Sequence, residues 1–377
     1  MSNVLFAHYR SDAVSGAEIF SADFAAKLDK RFRCTMLTPG EGKLASYFRE
    51  RGLNVWPKRV ETARRRYPGL HTVQSFVLAR ELRKRNISAV ICNTFPAASR
   101  VGTACGMAGI SYGIYVREYI SNGRKNREIL NRADKIFAES RDVKRYLSGM
   151  TSPAKIDVAY DYIDARPIFQ RVERHRASGR RLVPFDAGHP IVGLVGRITQ
   201  YKQQEVFIRA IPKVLSVVPE ARFVIVGAAG AKEKDYETWL KHLASKSGVE
   251  DKVAFMGHRE DAVEIMSEFQ LACLTSKREP LGRVVLEAQL MGCPVVAPEA
   301  GGSAELVEDG VTGLQFSSTS PDSDRQLAIR IIRLLEDSQL RSSLAAKARK
   351  WAYRTFASLE HVRRLEIQFE QLSTPAA

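Results

Sequence analysis

Two glutamates, Glu279 and Glu287, bracket a segment in which a predicted helix begins between two apolar runs. The order strand, loop, helix, strand places Glu279 in the loop and Glu287 about two turns into the helix. Pro280 and Gly282 shape the loop, and the first N–H groups of a helix have no partner within it. The helix start therefore suits an anion such as a phosphate. In the alternative interpretation, Glu279 only balances the helix dipole and Glu287 is an exposed helix acid.

Two cations, Arg197 and Lys202, follow an earlier predicted strand at residues 191–196. Their spacing lets both side chains reach one anion, which arginine can bind with two hydrogen bonds and lysine as a point charge. The strand and the Glu279 helix start fall at the same edge of one predicted sheet. The pattern predicts a diphosphate site in which cations and a helix terminus hold the charge without a metal ion.

The sequence gives little support for a metal site or for nucleophilic catalysis. There is no acidic pair of the DxD type, and residues 232–235 alternate acids with lysines, as a solvated surface does. Neither G-x-S-x-G nor a Walker A sequence occurs, and His8 and His258 each follow a strand as polar lining. The cysteines lack CxxC spacing, which favours buried thiols over disulfides or zinc ligands: Cys34, Cys92, Cys105, Cys273 and Cys293.

Strands alternate with helices along the chain, and 377 residues suit two domains. The alternation predicts two doubly wound parallel sheets, in which ligands bind beyond the carboxyl ends of the strands. We place the domains at residues 1–165 and 191–354, joined by a basic linker at 166–190. The candidate ligand contacts in the first domain follow strand ends: His8, Arg10, Asn93, Arg117, Glu118 and Ser140.

The positive charge is concentrated in the first half of the chain. Of the net charge of +16, residues 1–165 carry 28 Lys and Arg against 16 Asp and Glu, whereas residues 191–377 carry 24 of each. This asymmetry indicates an anionic partner, such as nucleic acid, lipid headgroups or a phosphate-bearing substrate, unless it serves only solubility. Lys58, Arg59 and the triplet at 64–66 could form a membrane or acceptor patch.

A helix predicted from His71 to Arg85 follows that basic triplet. Its apolar side chains recur at Val73, Phe76, Val77 and Leu82, the spacing of an amphipathic helix. The cations at its end, between Arg80 and Arg85, are expected on the exposed face of this helix.

The second half resembles the retaining glycosyltransferases of family four, which have the GT-B fold. The matching stretches are Gly196-Arg197-Ile198 with Lys202, the E-x7-E motif from Glu279 to Glu287, Gly292 to Val296, and the glycines at 301, 302, 310 and 313. The first half resembles the family more loosely, through its opening strand and Gly16-Ala-Glu18. The resemblance implies that the two domains face each other across a cleft and that a helix at about 355–377 crosses back onto the first domain.

The resemblance also implies a UDP- or GDP-linked sugar as co-substrate, with no cofactor and no metal. Arg197 and Lys202 would bind the diphosphate and stabilise the leaving group, and Glu279 would contact the donor sugar. Glu287 would bind the ribose hydroxyls. The remaining donor contacts would be made largely by backbone, at the base, sugar and phosphates: Gly16, Gly257, His258, Leu281, Gly282, Arg283 and Val284.

The acceptor would bind to the first domain, where Arg10, Arg117 and Glu118 are candidate contacts. Two departures from the family pattern lie there. Relatives often carry a histidine where this chain has Arg117, which cannot act as a neutral base. The usual Asn-Gly-hydrophobic-Asp turn near the domain boundary reads Asp161-Tyr-Ile-Asp164. Leu281 also stands where phenylalanine is common.

These observations lead us to expect a metal-independent retaining glycosyltransferase that acts on a glycan or lipid-linked acceptor in cell-envelope or exopolysaccharide synthesis. Related enzymes suggest a cytoplasmic protein, peripheral on the inner membrane face. One alternative is a basic nucleic-acid-binding protein, although no nucleic-acid motif occurs and the basic stretches lack interleaved aromatic residues. Another is an epimerase or a phosphorylase of the same fold.

Overall fold

The computed structural model describes residues 2–12, 14–59 and 68–373. The chain divides into two compact α/β units, the first formed by Met1–Ile163 with Phe356–Ala377 and the second by Asp164–Thr355. The basic triplet at 64–66, assigned above to a membrane or acceptor patch, lies outside the described residues. Within the described residues, no helix is both long and apolar enough to cross a membrane.

The first unit contains a seven-stranded sheet whose neighbouring strands all run parallel. Its spatial order is β3-β2-β1-β4-β5-β6-β7. Most strands are continuous apolar runs, as expected when helices cover both faces of a sheet. The strands are β1 Ser2–Ala7, β2 Phe32–Thr38, β3 Asn54–Pro57, β4 Ala89–Cys92, β5 Ser111–Val116, β6 Lys135–Ala138 and β7 Ile156–Val158.

Helices pack on both faces of this sheet, and each face has its own buried core. One face is covered by α3 Pro68–Lys84, α4 Phe95–Ala108, α5 Arg124–Arg132 and α6 Arg141–Leu147. The other is covered by α1 Gly16–Ala25, α2 Lys43–Arg49 and, from the far end of the sequence, α14 Leu359–Ser373. The ring of Phe369 lies 6.3, 5.2 and 4.6 Å from those of Phe6, Phe24 and Phe137. The last helix therefore completes the core of the first unit.

The second unit contains a six-stranded parallel sheet in the order β10-β9-β8-β11-β12-β13. Its strands are β8 Ile191–Val195, β9 Arg222–Val226, β10 Val253–Phe255, β11 Leu271–Cys273, β12 Val295–Pro298 and β13 Leu314–Phe316. Its helices are α7 Ala165–Ser178, α8 Gln204–Leu215, α9 Lys234–Lys246, α10 Ala262–Met266, α11 Arg283–Met291, α12 Ser323–Glu336 and α13 Ser338–Phe356. The prediction of two doubly wound parallel domains is confirmed.

The stretch expected to be a basic linker, residues 166–190, needs correction. It begins with α7, which packs on α10 and α11 of the second unit. Arg171 donates to both carboxylate oxygens of Glu264, at 2.7 and 2.6 Å. Beyond the helix, Glu268 accepts hydrogen bonds from the backbone N–H groups of Leu182 and Val183. One of the arginines that made this stretch resemble a solvent-exposed linker, Arg171, therefore binds it to the second unit.

The lysine-rich stretch at 232–235 lies at the surface, as the sequence predicts. A short 3-10 turn there leads directly into α9. Leu240 and Ala244 of that helix are buried, with Tyr236 at its start. The alternating charges belong to the first turn of an amphipathic helix, whose polar side chains face solvent as the sequence indicates.

Candidate functional site

Lys202 and Glu279, predicted separately from two parts of the sequence, form an ion pair at the carboxyl edge of the second sheet. Lys202 Nζ donates to Glu279 Oε2 at 2.7 Å, and the side chains are 19% and 12% exposed. The pair forms because β8 and β11 are neighbours in the sheet, so the loops that follow them lie side by side. A lysine and a carboxylate at such an edge offer both charge for an anion and an acceptor for hydroxyl groups.

Hydrogen bonds between the two loops fix this pair in place. Thr275 Oγ1 donates to the backbone oxygen of Lys202 at 2.7 Å, and Lys277 N–H donates to the backbone oxygen of Tyr201 at 3.1 Å. The Tyr201 hydroxyl in turn donates to the backbone oxygen of Arg278. The turn that carries Lys202 is therefore bonded to the segment that leads into Glu279, and the two functional groups keep one relative position.

A glycine after β12 holds the other side of the Glu279 loop. Gly302 N–H donates to the backbone oxygen of Glu279 at 2.6 Å. Gly301 has φ +76°, and a Cβ atom there would lie 2.5 Å from the Glu279 oxygen and 2.8 Å from its nitrogen. Only glycine permits both this backbone conformation and this close approach. Gly301 and Gly302 thus hold the backbone of Glu279 close to the loop that follows β12.

The helix that opens after Glu279 carries the second acid of the motif in a separate ion pair. Gly282 adopts φ +95° and precedes the first turn of α11. Arg283 Nε donates to Glu287 Oε1 at 3.0 Å, one turn further along, with side chains 14% and 20% exposed. Leu281 is buried, and Val284 is partly exposed. Glu279 and Glu287 therefore have different partners, which does not support a shared acid–base role on one bond.

A cavity of about 360 Å³ lies at the glycine-rich ends of β8 and β9. Arg197, His258 and Arg259 line it, together with Gly196 and Gly227 among other backbone positions. Gly227 N–H donates to the Gly257 oxygen at 2.8 Å. A side chain on Gly227 would overlap the Gly196 oxygen, since its Cβ would lie only 1.9 Å away. The cavity therefore depends on glycine at the strand ends.

Gly196 joins this cavity to the Lys202–Glu279 pair. A Cβ atom on Gly196 would lie 3.9 Å from Lys202 Cε, so the lysine stem passes beside the cavity wall. Arg197 is exposed, and no described residue pairs with its guanidinium group. Arg259 makes a two-point ion pair with Asp261, at 2.7 and 2.6 Å. The cavity thus has one uncommitted arginine at its rim and a lysine beside it, an arrangement suited to a phosphate-bearing ligand.

Among residues 2–12, 14–59 and 68–373 there is no group of three His, Cys, Asp or Glu side chains arranged to hold a metal ion. Within the same residues, the thiols of Cys92, Cys105, Cys273 and Cys293 are buried. Burial raises the pKa of Cys34 to about 12. These observations concern the described part of the chain alone.

In the first unit, the structure places Arg117 in a buried network rather than at an open site. Its guanidinium group donates to Asp161 Oδ1 from Nε at 3.2 Å and from Nη2 at 3.1 Å, and the side chains are 9% and 2% exposed. Arg117 Nη1 also donates to the Asn93 backbone and, at 3.1 Å, to Asn93 Oδ1. The guanidinium carbon stacks 3.6 Å from the centre of the Tyr115 ring. Arg117 therefore contributes to the fold, and its predicted contact with acceptor or sugar stays a prediction.

The two departures from the family pattern are thus partners. Arg117 follows β5 and Asp161 follows β7, and their side chains meet although they are 44 residues apart. Sequence reasoning identified both positions but did not connect them. The positive charge at one position is balanced by the negative charge at the other, which is what a buried ion requires.

His8 is buried beside this network. The Asn93 amide nitrogen lies 3.3 Å from His8 Nδ1 and can only donate, so that ring nitrogen accepts and the hydrogen is on Nε2. Burial, with the nearby charge of Arg117, lowers the pKa of His8 to about 3. The imidazole is therefore neutral throughout the physiological range and takes no part in balancing Asp161.

The other first-unit candidates lie around the same sheet edge. Arg10 is exposed, with Nε 3.6 Å from Asp12 Oδ1, and Glu118 is exposed. Gly16 is the first residue of α1, where Glu18 accepts hydrogen bonds from the Ser15 backbone at 3.0 Å and hydroxyl at 2.6 Å. These three positions remain accessible, or partly so, and they stay predictions as ligand contacts.

Sequence reasoning missed the residues that position the site. Thr275 and Tyr201 bond the two loops, and neither has a sequence signature. Gln203, between Lys202 and α8, adopts φ +49°, which is uncommon for a residue other than glycine. Such a backbone conformation marks a strained turn, and only coordinates reveal it.

Two family models match the chain in tandem. Residues 14–166 match Glycosyltransferase Family 4, and residues 179–351 match Glycosyl transferases group 1. The second match contains every residue of the Lys202–Glu279 site and of the cavity beside it.

Among curated proteins, the chain is similar to D-inositol 3-phosphate glycosyltransferases. It is 29% identical to that of Mycolicibacterium gilvum over 199 residues, 52% of this chain and 43% of the relative. It is 31% identical to that of Mycobacterium leprae over 190 residues, 49% of this chain and 43% of the relative. The matches thus span less than half the length of these relatives.

Solved structures share the fold along nearly the whole chain. Anabaena HepE in complex with UDP and glucose has a TM-score of 0.82 and 22% identity, covering 98% of this chain and all of that one. Sucrose-phosphate synthase of Thermosynechococcus elongatus has a TM-score of 0.77 and 17% identity, with 99% of each chain covered. The lipopolysaccharide outer core galactosyltransferase WaaB has a TM-score of 0.73 and 14% identity, covering 98% and 99%.

Proposed function

We propose that the chain is a glycosyltransferase of the GT-B fold, as its two family-model matches and its structural neighbours support. It would transfer a sugar from a nucleotide-sugar donor to a glycan or lipid-linked acceptor. The observation that carries this proposal is the Lys202–Glu279 ion pair, held beside a glycine-walled cavity in the group 1 domain. The reaction proceeds with retention of configuration at the sugar carbon and without a metal ion.

The cations and the carboxylate of the site bind different parts of the donor. Arg197 and Lys202 bind the donor diphosphate and neutralise the charge that grows on the leaving group as the glycosidic bond breaks. When Lys202 turns to the diphosphate, Glu279 Oε2 accepts hydrogen bonds from hydroxyls of the donor sugar in its place. These two roles are compatible because the loops that carry them are bonded to each other.

The helix that follows binds the nucleoside part. Glu287 accepts from the ribose hydroxyls, and its partner Arg283 holds the carboxylate in position. The backbone at Gly257 and His258 meets the base, and the helix start at residues 281–284 lies near sugar and phosphate. Gly16 of the first unit approaches the phosphate, and Arg10 and Glu118 meet the acceptor.

Related proteins support the proposed donor and acceptor. HepE has been crystallised with UDP and with UDP-glucose, which favours a UDP-linked hexose. The names of other similar proteins refer to D-inositol 3-phosphate and to the outer core of lipopolysaccharide, which favours a phosphate-bearing or lipid-linked acceptor. We expect a cell-envelope or exopolysaccharide acceptor, met in the cytoplasm at the inner membrane face.

A thermal-shift panel of UDP, GDP, ADP and their sugars tests the donor. Selective stabilisation by one nucleotide, by several degrees at saturating ligand, would identify the base. Arg197→Ala, Lys202→Ala and Glu279→Ala should then reduce donor turnover, each by about 100-fold or more.

Lys213→Ala is the matched control for Lys202→Ala. Lys213 also belongs to an ion pair of the second unit, with Asp324 at 2.6 Å, but it lies at the opposite end of α8. Its removal should leave turnover unchanged. Full turnover in all three site variants would refute the site. Turnover of the nucleotide sugar without acceptor would indicate an epimerase, and phosphate-dependent cleavage of a glycan would indicate a phosphorylase. Salt-sensitive binding of nucleic acid, without affinity for nucleotide sugars, would indicate a nucleic-acid-binding protein.

A further inference from the structure

Helix α3 of the first unit presents an apolar face to solvent. Leu70, Val73, Phe76 and Val77 are 50%, 62%, 66% and 44% exposed. They lie three or four residues apart and therefore project from one side of the helix. Single exposed apolar side chains are ordinary on a protein surface, but four large ones side by side on one helix are not.

The apolar spacing in the sequence does not identify this face as the exposed one. Of the apolar residues at 73, 76, 77 and 82, only Leu82 faces the core, which α3 meets through Ser75, Leu78, Ala79 and Leu82. Both sets recur every three to four residues, so the helix carries two apolar stripes. The sequence period fits either stripe and cannot choose between them.

Cations continue the exposed stripe toward the end of α3. Arg80 and Lys84 follow Phe76 at intervals of four residues, and both are exposed. No described residue forms an ion pair with either. By contrast, Lys58 nearby pairs with Glu81 at 2.5 Å, and Arg83 donates to the backbone oxygen of Ala108 at 3.1 Å. The face is thus apolar over its first turns and over its last carries positive charge that no described residue pairs.

We propose that this face of α3, from Leu70 to Lys84, docks the protein on an anionic lipid bilayer. The apolar side chains enter the boundary between headgroups and acyl chains, and Arg80 and Lys84 contact the phosphates. Interfaces between proteins are depleted in lysine, whereas membrane-surface helices combine apolar and cationic side chains in this way. The excess of Lys and Arg over residues 1–165 adds a long-range attraction of the same sign.

Vesicle co-sedimentation with the full-length protein tests the proposal. Vesicles of phosphatidylcholine alone are compared with vesicles that also contain phosphatidylglycerol, at low and high salt. We expect binding to the anionic vesicles that weakens with salt. Phe76→Glu should reduce the partition coefficient about tenfold or more, because an apolar side chain that enters the bilayer is replaced by a charged one. Arg80→Gln and Lys84→Gln should each reduce it about fivefold.

Ile329→Glu is the matched control, since Ile329 on α12 of the second unit is 52% exposed and outside the face. It should bind as the parent chain does, and all variants should keep the parent melting temperature because every changed side chain is exposed. Equal binding by Phe76→Glu and the parent would overturn the proposal. The proposal would also be overturned if the parent chain did not bind vesicles but self-associated in light scattering, and if Phe76→Glu abolished that self-association. This result would assign the face to contact with a second copy of the chain.

Discussion

The two units place charged side chains at the same topological position and use them differently. In both, the residues follow the carboxyl ends of parallel strands. In the first unit, Arg117 is closed in by Asp161, Asn93 and aromatic rings and is almost wholly buried. In the second, Lys202 pairs with one carboxylate beside a cavity, and Arg197 has no ionic partner among the described residues.

The difference shows what a strand-end cation needs in order to meet a ligand. A buried ion is stable only if its partners satisfy it, and partners that satisfy it fully leave nothing for a ligand to bind. A partly exposed pair costs less to open, because water can replace either partner. The charge of Arg117 is therefore enclosed by its partners, whereas the charges of Lys202 and Arg197 stay partly accessible to solvent.

The largest effect is expected from breaking the buried pair. Arg117→Ala should lower the free energy of unfolding by about 3–5 kcal/mol, because Asp161 would remain buried without a partner. Urea unfolding of the full chain, followed in the first unit, measures the change. Lys135→Ala is the control: its pair with Asp157, at 3.0 Å, is partly exposed and should contribute less than about 1 kcal/mol. Equal losses in the two variants would remove the distinction between buried and open pairs.

The converse is expected in the second unit. Lys202→Ala should lower transfer about 100-fold or more, equivalent to about 2.7 kcal/mol of transition-state stabilisation, while unfolding changes by less than about 1 kcal/mol. Steady-state kinetics and urea unfolding of the same preparation give both values. A loss of stability as large as that of Arg117→Ala would show that Lys202, too, serves the fold.

A smaller effect should follow from displacing Glu279 without removing it. In Gly301→Ala the new Cβ would press on the Glu279 backbone, and a backbone at φ +76° and ψ −165°, which is nearly exclusive to glycine, would cost about 1–3 kcal/mol of stability. We expect transfer to fall about tenfold, because the carboxylate moves relative to Lys202. Gly248→Ala has a similar φ, +65°, but nothing lies near its Cβ, so it should show the stability loss alone. Unchanged transfer in Gly301→Ala would mean that the loop tolerates displacement.

The pH dependence of stability should reveal the closed network of the first unit. Folded His8 stays neutral down to its pKa of about 3, whereas the unfolded histidine takes up a proton below about pH 6.5. Stability from this residue is complete above pH 6.5 and falls by about 1.4 kcal/mol per unit as pH drops toward 3. His8→Asn should remove this part of the slope, whereas His242→Asn, at an exposed position of the second unit, should not. Unfolding midpoints between pH 7 and 4 would decide, and an unchanged slope in His8→Asn would contradict the burial of a neutral ring.

The alternation of strands and helices is legible in the sequence because apolar runs and helical spacing are local. The α3 helix is predicted for that reason, but its exposed face is not, since two stripes have the same period. The linker prediction failed because α7 is rich in arginine, and composition does not show that Arg171 has a partner 93 residues away.

For the candidate site, the sequence predicted that Lys202 and Glu279 lie at one edge of the second sheet, but not that they form an ion pair. That contact depends on the adjacency of β8 and β11, which no local pattern specifies. The same holds for Arg117 and Asp161, whose partnership needs the order of the first sheet. Residue types indicate chemistry, whereas strand order decides which of them meet.

The return of α14 to the first unit has a consequence for the order in which the protein is made. The second unit is one continuous segment and is complete once residue 355 has left the ribosome. The first unit still lacks Phe369, which packs among Phe6, Phe24 and Phe137. During synthesis the core of the first unit therefore stays incomplete until α14 has been translated. Of the two units, the one whose strands are translated earlier is thus completed later, whereas domains generally fold in the order of their synthesis.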